Sequence, residues 1–347
     1  MHVRGILATA TAVLLTLIIL LRHHLRDLAE VARTYATFYP YLNNHPEVLL
    51  RYPEQADHYR AESSARVPQI IHQVFLTEGR NTGLEKYDEA ITSCQDLHQN
   101  WTHHLWTDES ANAFMAEHQP RLWQHYSGYR QSIQRANILR YALLEHFGGV
   151  YLDLDVTCLK PLDDLRQVSF LTPGAYPAGV NNAFILAKPG HAFLKHLLEG
   201  VESRDLTWGL PYIENMLSTG CMYFSNRWLS YLRTRPSAGT NETDMVRVLA
   251  DQNGNMDPHM LRGVITTPLF HHGGASSWHG WDAAAIVLIG KHYIYFLLLL
   301  SMIVACTAIF ISRTVAHRRF RRSRSPVRRS MEKRYSDEER SPGLKLG

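Results

Sequence analysis

The chain has 347 residues and a mass of 39.8 kDa, which is enough for one or two domains with a hydrophobic core. Hydrophobic residues make up 45% of the sequence and charged residues 20%, which excludes a disordered chain and a fibrous repeat. The four cysteines include no Cys-x-x-Cys pair, which argues against a structural zinc cluster.

The net charge of +4 is unevenly distributed along the chain. Residues 313–347 hold 12 Lys and Arg against 4 Asp and Glu, a balance of +8, whereas the preceding residues have a balance of −4. A nucleic-acid-binding protein is expected to concentrate basic residues on its folded body, so no nucleic-acid partner is predicted. A basic tail beside an apolar segment is typical of a polybasic stretch at a membrane surface.

The N-terminal region predicts a membrane attachment followed by a stem. Residues 6–21 are uncharged, and we interpret residues 1–21 as a signal anchor, with a cleaved signal peptide as the alternative. Residues 22–66 are polar and are interrupted by prolines, which indicates a lumenal stem with short helices.

From residue 67 the pattern becomes that of an α/β domain. The runs 67–75 and 101–108 are typical of strands, and residues 132–147 form a helix whose apolar side chains recur in three- and four-residue steps. Gly148 and Gly149 end this helix, and GVYLDLDV (149–156) follows as a strand with alternating apolar residues. Strands that alternate with helices predict a mostly parallel, Rossmann-like sheet over residues 67–282.

The C-terminal region predicts a second membrane span. Residues 293–311, within a span region of 283–312, are 19 uncharged residues that would cover about 30 Å as a helix, the thickness of a bilayer core. The Arg-rich run after it predicts a disordered, cytosolic tail over residues 313–347 and a lumenal body. Glycosylation sequons at Asn100 and Asn241 agree with a lumenal body.

Three cysteines, Cys94, Cys158 and Cys221, fall in the predicted lumenal body. The secretory lumen permits a disulfide between two of them, and the sequence leaves the pair open.

Asp153 and Asp155 are the residues with the clearest chemical potential. Residues two apart on a strand face the same side, so we expect both carboxylates at the carboxyl end of the strand, where α/β folds bind ligands. Two carboxylates suit a hard divalent cation that also contacts phosphates.

Five segments together carry a family resemblance: VPQIIHQVF, WTHHLWTDE, NILRYALLEHFGGVYLDLDV, LPYIENMLSTGCMYF and FHHGGASSWHGWDA. They resemble the Och1-type DxD sugar transferases of glycosyltransferase family 32, and most closely the catalytic subunits of fungal mannosyl-inositol-phosphoceramide synthases. The resemblance implies a GT-A fold, a Golgi (or ER/Golgi) membrane location and retaining transfer of mannose from GDP-mannose. It further implies Mn²⁺ or Mg²⁺, inositol phosphoceramide as the acceptor, and a membrane regulatory subunit as partner.

The same resemblance implies roles for individual residues. Asp153 would contact the donor ribose or sugar and the metal, Asp155 would ligate the metal directly, and Arg140 would reach the diphosphate or the sugar. A later element maps to His272, Ser276, Ser277 and Trp278, of which His272 or a serine would complete the metal or diphosphate shell. His72 lies in a segment that the family places near the nucleotide, although on its own a histidine in a strand is typical of a hydrogen-bonded core position.

Asn137 departs from the family pattern, which usually has Asp three residues before the arginine. An amide can hydrogen-bond a sugar hydroxyl but carries no charge. Asn137 is therefore both a predicted donor-binding residue and the one feature that favours a catalytically inactive membrane subunit.

Other interpretations of the same residues stay open. Arg140 could cap its helix or pair with Glu145. The same sugar-transfer chemistry could act on a protein N-glycan. The run YLDLDVT also resembles the first motif of haloacid-dehalogenase phosphatases, with Asp153 as nucleophile and Asp155 as general acid, but the later acidic pair of those enzymes is not found.

Overall fold

The computed structural model describes residues 2–53, 66–77, 83–234, 242–274 and 280–338. The helices are α1 (His2–Leu20), α2 (Arg22–Asn44), α3 (Asp88–Leu97), α4 (Asp108–His118), α5 (Trp123–Gly128), α6 (Ser132–Phe147), α7 (Ala192–Gly200), α8 (Pro211–Ser218), α9 (Cys221–Thr234), α10 (Trp281–Lys291) and α11 (Tyr293–Glu338). The strands are β1 (Leu49–Arg51), β2 (Ile70–Val74), β3 (Thr102–Trp106), β4 (Gly149–Leu152), β5 (Val156–Cys158), β6 (Phe170–Pro173), β7 (Phe184–Ala187), β8 (Arg247–Ala250), β9 (Ile265–Thr266) and β10 (Phe270–His272). The chain divides into two compact units, residues 1–280 and 281–347.

A seven-stranded sheet organises the first unit, in the order β1-β8-β6-β7-β4-β2-β3. Its neighbours are parallel except for β7, which runs antiparallel to both β6 and β4. This confirms the predicted mixed α/β class with a mostly parallel sheet. A second, antiparallel sheet has the order β5-β10-β9.

The large sheet separates two hydrophobic clusters, as strand alternation requires. On β4, Val150 and Leu152 belong to one cluster, whereas Tyr151 belongs to the other. On β7, Phe184 and Leu186 join the first cluster and Ile185 joins the second. Because successive side chains of a strand point to opposite faces, both faces of the sheet are buried, as in other sheets covered by helices on two sides.

The helix predicted over residues 132–147 is confirmed as α6. It ends at Gly148, whose φ of +66° is left-handed, and Gly149 follows with a φ of +98°. A Cβ on Gly149 would lie 2.6 Å from the carbonyl oxygen of Ile70. A glycine at this position therefore lets β4 approach β2 closely at the start of the strand that leads to the site.

The N-terminal part of the predicted stem packs on the α/β body. Phe38 and Leu42 of α2 lie in the hydrophobic core together with Trp228 of α9. Leu49 of β1 pairs with Val248 of β8, which makes β1 an edge strand of the large sheet. The chain thus contributes a helix and a strand to the body before residue 67, because α2 has an apolar face that the polar composition of the region concealed.

One helical segment of the described residues, Ile294–Thr314, is long and apolar enough to cross a membrane by its length and composition. It has 21 residues and a mean hydropathy of 2.7, and it is not buried within the protein. The apolar part of α1, Thr11–Leu20, is shorter than a bilayer requires. The predicted C-terminal span is therefore matched by a suitable helix, and the N-terminal anchor stays a prediction.

α11 continues as a helix to Glu338, through residues for which the sequence predicts disorder. Although this segment has low complexity, it contains many Arg, Lys and Glu residues, which have a high helix propensity.

Cys94 and Cys158 form a disulfide, and Cys221 is free. The bond connects α3 to β5, the strand that directly follows Asp155. The sequence predicted that two of the three cysteines could form a disulfide, and it did not identify which two.

Candidate active site

Asp153 and Asp155 lie in a turn that follows the carboxyl end of β4. The backbone N–H of Val156 donates to the carbonyl of Asp153 over 3.1 Å, and the N–H of Gly273 donates to the carbonyl of Asp155 over 2.8 Å. The prediction of a strand over 149–156 is wrong beyond Leu152, because Val156 already pairs with His272 in the second sheet. The two carboxylates line one cavity because of the turn and not because of strand alternation.

The cavity beside this turn has a volume of about 260 Å³. Its walls come from α6, from the turn, from the loop before β7, from α8 and from β10. Polar and charged side chains that line it, besides the two aspartates, are Tyr87, Asn137, Arg140, Tyr151, Asn181, Asn182, Asn215 and His272. Such a cavity suits a ligand with many hydrogen-bonding groups.

Arg140 is the buried cation of the site, and its side chain is only 2% exposed. One Nη of Arg140 lies 2.9 Å from Oδ1 of Asp153 and donates to the carbonyl of Asn182 over 2.7 Å. The guanidinium carbon lies 4.3 Å from the centre of the Tyr151 ring. The alternative pair with Glu145 is not formed, and Arg140 lines the cavity, while its contact with a diphosphate or sugar stays a prediction.

Asp153 is held by two donors and is still partly open to the cavity. Its Oδ1 also accepts from the Tyr151 hydroxyl over 2.8 Å, while its side chain is 30% exposed. Burial raises the pKa of the Asp153 carboxyl, and the Arg140 guanidinium opposes this rise. The Arg140 charge thus favours the ionised carboxylate that a metal site needs.

Asp155 faces His272 across the site. Nε2 of His272 lies 3.5 Å from Oδ2 of Asp155, and both side chains are largely buried. Nδ1 of His272 lies 2.6 Å from the carbonyl oxygen of Gly263, which can only accept a hydrogen bond, so the proton is on Nδ1. Nε2 is then the ring nitrogen that faces Asp155, and metal-binding histidines commonly bind the metal through one ring nitrogen while the other donates to a carbonyl.

The donor set fits a divalent cation such as Mn²⁺ or Mg²⁺. Asp155 and His272 supply an oxygen and a nitrogen ligand, and Asp153 offers a second carboxylate beside them. Within the described ranges, no three His, Cys, Asp or Glu side chains form a complete metal cluster. Cations that act on phosphates commonly use one or two carboxylates and take their remaining ligands from the substrate.

Asn137, one helical turn before Arg140 on α6, belongs to a buried network of amides that also line the cavity. Its Nδ2 donates to Oδ1 of Asn215 over 2.9 Å and to the hydroxyl of Thr219 over 3.2 Å. Its Oδ1 accepts from Nδ2 of Asn182 over 3.1 Å, and the same amide donates to the Tyr141 hydroxyl over 2.8 Å. The structure therefore places Asn137 at the cavity, where its amide nitrogen and its amide oxygen both have hydrogen-bonding partners.

His72 does not line this cavity, and the predicted contact with the nucleotide is not available to it in this conformation. Its side chain is fully buried, and its ring nitrogens lie 3.0 Å from the Gly148 carbonyl and 3.2 Å from Nε1 of Trp106. Burial lowers the pKa of His72 to about 4, so the ring is neutral at physiological pH. His72 connects β2, β3 and the end of α6, which is a structural role.

Four predicted positions lie outside the described residues: Ser276, Ser277, Trp278 and the sequon at Asn241. The other sequon residue, Asn100, is exposed in the turn before β3.

Sequence reasoning missed Asn182, Asn215 and Cys221, which all line the cavity. Sγ of Cys221 lies 2.8 Å from Oδ1 of Asn182. The only local signal was the pair Asn181-Asn182 between two apolar runs, because two adjacent amides beside a buried strand are an unusual choice for a core.

The family model described as "Glycosyltransferase sugar-binding region containing DXD motif" matches residues 85–171, which contain Asn137, Arg140, Asp153 and Asp155. The mannosyl phosphorylinositol ceramide synthase SUR1 of Saccharomyces cerevisiae is 34% identical over 65% of this chain and 55% of its own length. The inositol phosphoceramide mannosyltransferase 1 of Schizosaccharomyces pombe is 31% identical over 65% of this chain and 67% of its own length.

Among solved structures, "PaToxG Glycosyltransferase" has 11% sequence identity and a TM-score of 0.38, over 61% of this chain and 81% of that chain. The chain spans 55% of the length of the budding-yeast relative and 63% of that of a second fission-yeast relative. Because the fission-yeast mannosyltransferase is matched over two thirds of its length at this identity, the chain belongs to the family of DXD glycosyltransferases that includes the fungal inositol phosphoceramide mannosyltransferases.

Proposed function

We propose that this chain transfers mannose from GDP-mannose to inositol phosphoceramide. The observation that carries the proposal is the Asp153–Asp155 turn, which shares one polar cavity with the buried Arg140 and with His272. The names of the family relatives supply the sugar and the lipid acceptor. A cavity lined by amides and charges fits a sugar nucleotide better than it fits an apolar ligand.

In the proposed chemistry, the residues around the turn have separate tasks. Asp155 and His272 would hold the divalent cation, and Asp153 would contribute a second carboxylate. When bound, the cation supplies positive charge that stabilises the departing diphosphate. Arg140, which contacts Asp153, adds a fixed positive charge, and its burial strengthens the effect of that charge on a phosphate oxygen.

The amide network would orient the sugar. Asn137, Asn182 and Asn215 line the cavity, and the amide oxygens of Asn137 and Asn182 each have a second lone pair that could accept from a hexose hydroxyl. Asp153 and Asp155 are the only carboxylates among the described lining residues. Among those described residues, no third carboxylate lies at the cavity to form a covalent sugar intermediate.

The finer fold class proposed is GT-A. In its favour, the carboxylate turn follows the carboxyl end of a central strand in a mostly parallel sheet, where open α/β folds bind nucleotides. The small antiparallel sheet that contributes His272 closes the other side of the turn.

The proposed location is the Golgi membrane, with the body lumenal and the basic tail cytosolic. The apolar helix Ile294–Thr314 and the Arg-rich residues after it favour this orientation. A Cys94–Cys158 disulfide agrees with an oxidising lumen. A membrane regulatory subunit remains part of the proposal through family resemblance alone.

The experiment that tests this function uses the full-length chain expressed in membranes from cells that lack their own enzymes of this class. Incubation with labelled GDP-mannose and inositol phosphoceramide is expected to produce a mannosylated lipid, and EDTA is expected to abolish the product. Asp155→Asn is expected to lower the rate at least about 100-fold, because loss of a ligand weakens the binding of the cation.

The matched control is Asp96→Asn, an exposed carboxylate on α3. It should leave the rate unchanged. Transfer that survives both EDTA and Asp155→Asn would refute the proposed function, as would labelling of protein N-glycans without labelling of the lipid.

A further inference from the structure

An exposed arginine lies beside the cavity, on the loop of residues 261–264. We call Arg262, Val264 and the neighbouring Tyr176 the Arg262 rim. The guanidinium carbon of Arg262 lies 4.6 Å from the centre of the Tyr176 ring. Tyr176 is 69% exposed and Val264 is 75% exposed, so the rim presents a cation, an aromatic ring and an aliphatic side chain to the outside.

The loop of residues 261–264, which carries Arg262 and Val264, is fixed to the proposed metal site. Leu261 lines the cavity, and its carbonyl accepts a hydrogen bond over 3.0 Å from Nδ2 of Asn181, which lines the cavity as well. Two residues further on, the carbonyl of Gly263 accepts the hydrogen bond from His272. Arg262 therefore lies between two residues that are anchored to cavity-lining side chains.

Close backbone contact adds to this anchoring. A Cβ on Gly274, whose φ is +59°, would lie 2.6 Å from the carbonyl carbon of Gly263. The preceding residue, Gly273, donates its N–H to the carbonyl of Asp155. The position of Arg262 is thus coupled through backbone contacts to the turn that holds the two aspartates.

The cation of the rim is available to an anion. Among the described residues, no carboxylate forms an ion pair with Arg262, and its guanidinium lies over the face of the Tyr176 ring. Asp257 lies in the same region, since it and Arg262 act in opposite directions on the pKa of Tyr39. A guanidinium that stacks on an aromatic ring keeps its edge donors for a phosphate, which it can contact with two hydrogen bonds.

We propose that the Arg262 rim binds the phosphodiester of the lipid acceptor at the membrane surface. The proposal rests on the proposed function, which requires an inositol ring to enter the cavity while its lipid tail stays outside. In such a lipid the phosphate is attached directly to the inositol, so an anion must lie at the cavity mouth when the ring is inside. Arg262 provides the complementary charge there, and Tyr176 and Val264 contact the interfacial part of the lipid.

The decisive measurement is binding of two soluble probes by the full-length chain in a neutral detergent. Glycerophosphoinositol carries the phosphodiester, and myo-inositol does not. We expect the wild type to bind glycerophosphoinositol about tenfold more tightly than myo-inositol, as one charge-assisted contact allows. Arg262→Gln should remove this preference, and Arg262→Lys should keep part of it, because lysine retains the charge but not the paired donors.

The matched control is Arg121→Gln, since Arg121 is 72% exposed and pairs with Glu202 away from the rim. It should bind both probes as the wild type does. Equal affinities of the wild type for the two probes would overturn the proposal, as would an Arg262→Gln variant that keeps the preference. An equal loss in Arg121→Gln would also overturn it, because the effect would then be one of net charge.

Lipid transfer separates this inference from the proposed function. We expect Arg262→Gln to raise KM for inositol phosphoceramide about tenfold while KM for GDP-mannose stays unchanged. If the wild type transfers no mannose to the lipid, the proposed function fails, and probe binding still decides whether the rim recognises a phosphodiester. If the wild type transfers mannose and Arg262→Gln has a normal KM for the lipid, only the rim assignment fails.

Discussion

At the scale of single residues, the site combines a charged side with a neutral side. Arg140, Asp153 and Asp155 carry charge around the turn, whereas Asn137, Asn182 and Asn215 form a neutral, hydrogen-bonded wall. In this network both the amide nitrogen and the amide oxygen of Asn137 have hydrogen-bonding partners. The asparagine is therefore an integral member of the network. The presence of Asn137 is therefore compatible with an active enzyme.

Replacement of Asn137 by a side chain of similar size without hydrogen bonds tests this network. We expect Asn137→Leu to lower the free energy of unfolding by about 2 kcal/mol, because polar groups of Asn182, Asn215 and Thr219 lose their partner in a buried site. The rate of transfer should fall with it. Denaturation of the detergent-solubilised protein measures the first effect, and Asn43→Leu on the exposed side of α2 is the control. A stability equal to that of the control would show that the network contributes little.

At the scale of elements, α2 is attached to the body by buried charges as well as by apolar contacts. Asp27 is 2% exposed and pairs with Arg204, whose other Nη lies 2.7 Å from Glu30. Arg26 also donates to the carbonyl of Ser203 over 2.7 Å. The helix that follows the N-terminal apolar segment is thus fixed to the α/β body at several points.

Removal of Asp27 should detach this end of α2. We expect Asp27→Ala to lower the free energy of unfolding by about 3 kcal/mol, because it leaves part of the buried Arg204 charge without a partner. Glu202→Ala, which breaks the exposed pair with Arg121, should cost less than about 1 kcal/mol. Comparable losses in the two variants, measured by denaturation under the same conditions, would contradict a special role for the Asp27 pair.

The element scale also shows where sequence patterns are sufficient. α6 was predicted from its apolar period and from Gly148, whose positive φ ends the helix, and β2 was predicted from a short apolar run after a proline. The turn at Asp153–Asp155 was read as a strand because its partner, His272, is more than a hundred residues away, and pairing with β10 is a long-range effect. The amides of Asn182 and Asn215 were missed for the same reason, since hydrogen-bonding partners that are distant in sequence leave no local period.

At the scale of the whole molecule, buried neutral histidines make the fold sensitive to acid. Burial lowers the pKa of His72 to about 4 and that of His259 to about 4, below the ordinary value of 6.5, and it also lowers the pKa of His191. Between pH 6.5 and pH 4 the unfolded chain therefore binds more protons than the folded chain. The stability that these neutral histidines contribute is fully present above pH 6.5 and is lost as the pH falls.

We expect each of His72 and His259 to contribute a loss of about 2 kcal/mol at pH 5 relative to pH 7. Thermal unfolding of the full-length protein, followed from pH 7.5 to pH 5, should show a steadily falling midpoint. A His259→Gln variant should have a smaller slope, because glutamine does not titrate. A midpoint that is constant across this range would contradict the neutral, buried state of these rings.

The central claim is that the Asp153–Asp155 turn and His272 hold a divalent cation together with a nucleotide diphosphate. Its most direct test is titration of the full-length protein with Mn²⁺, followed by electron paramagnetic resonance, with and without GDP. We expect tight Mn²⁺ binding that GDP strengthens and that Asp155→Asn abolishes, while Asp96→Asn binds as the wild type does. Binding of Mn²⁺ and GDP that is unchanged in Asp155→Asn would show that this turn does not hold the cation.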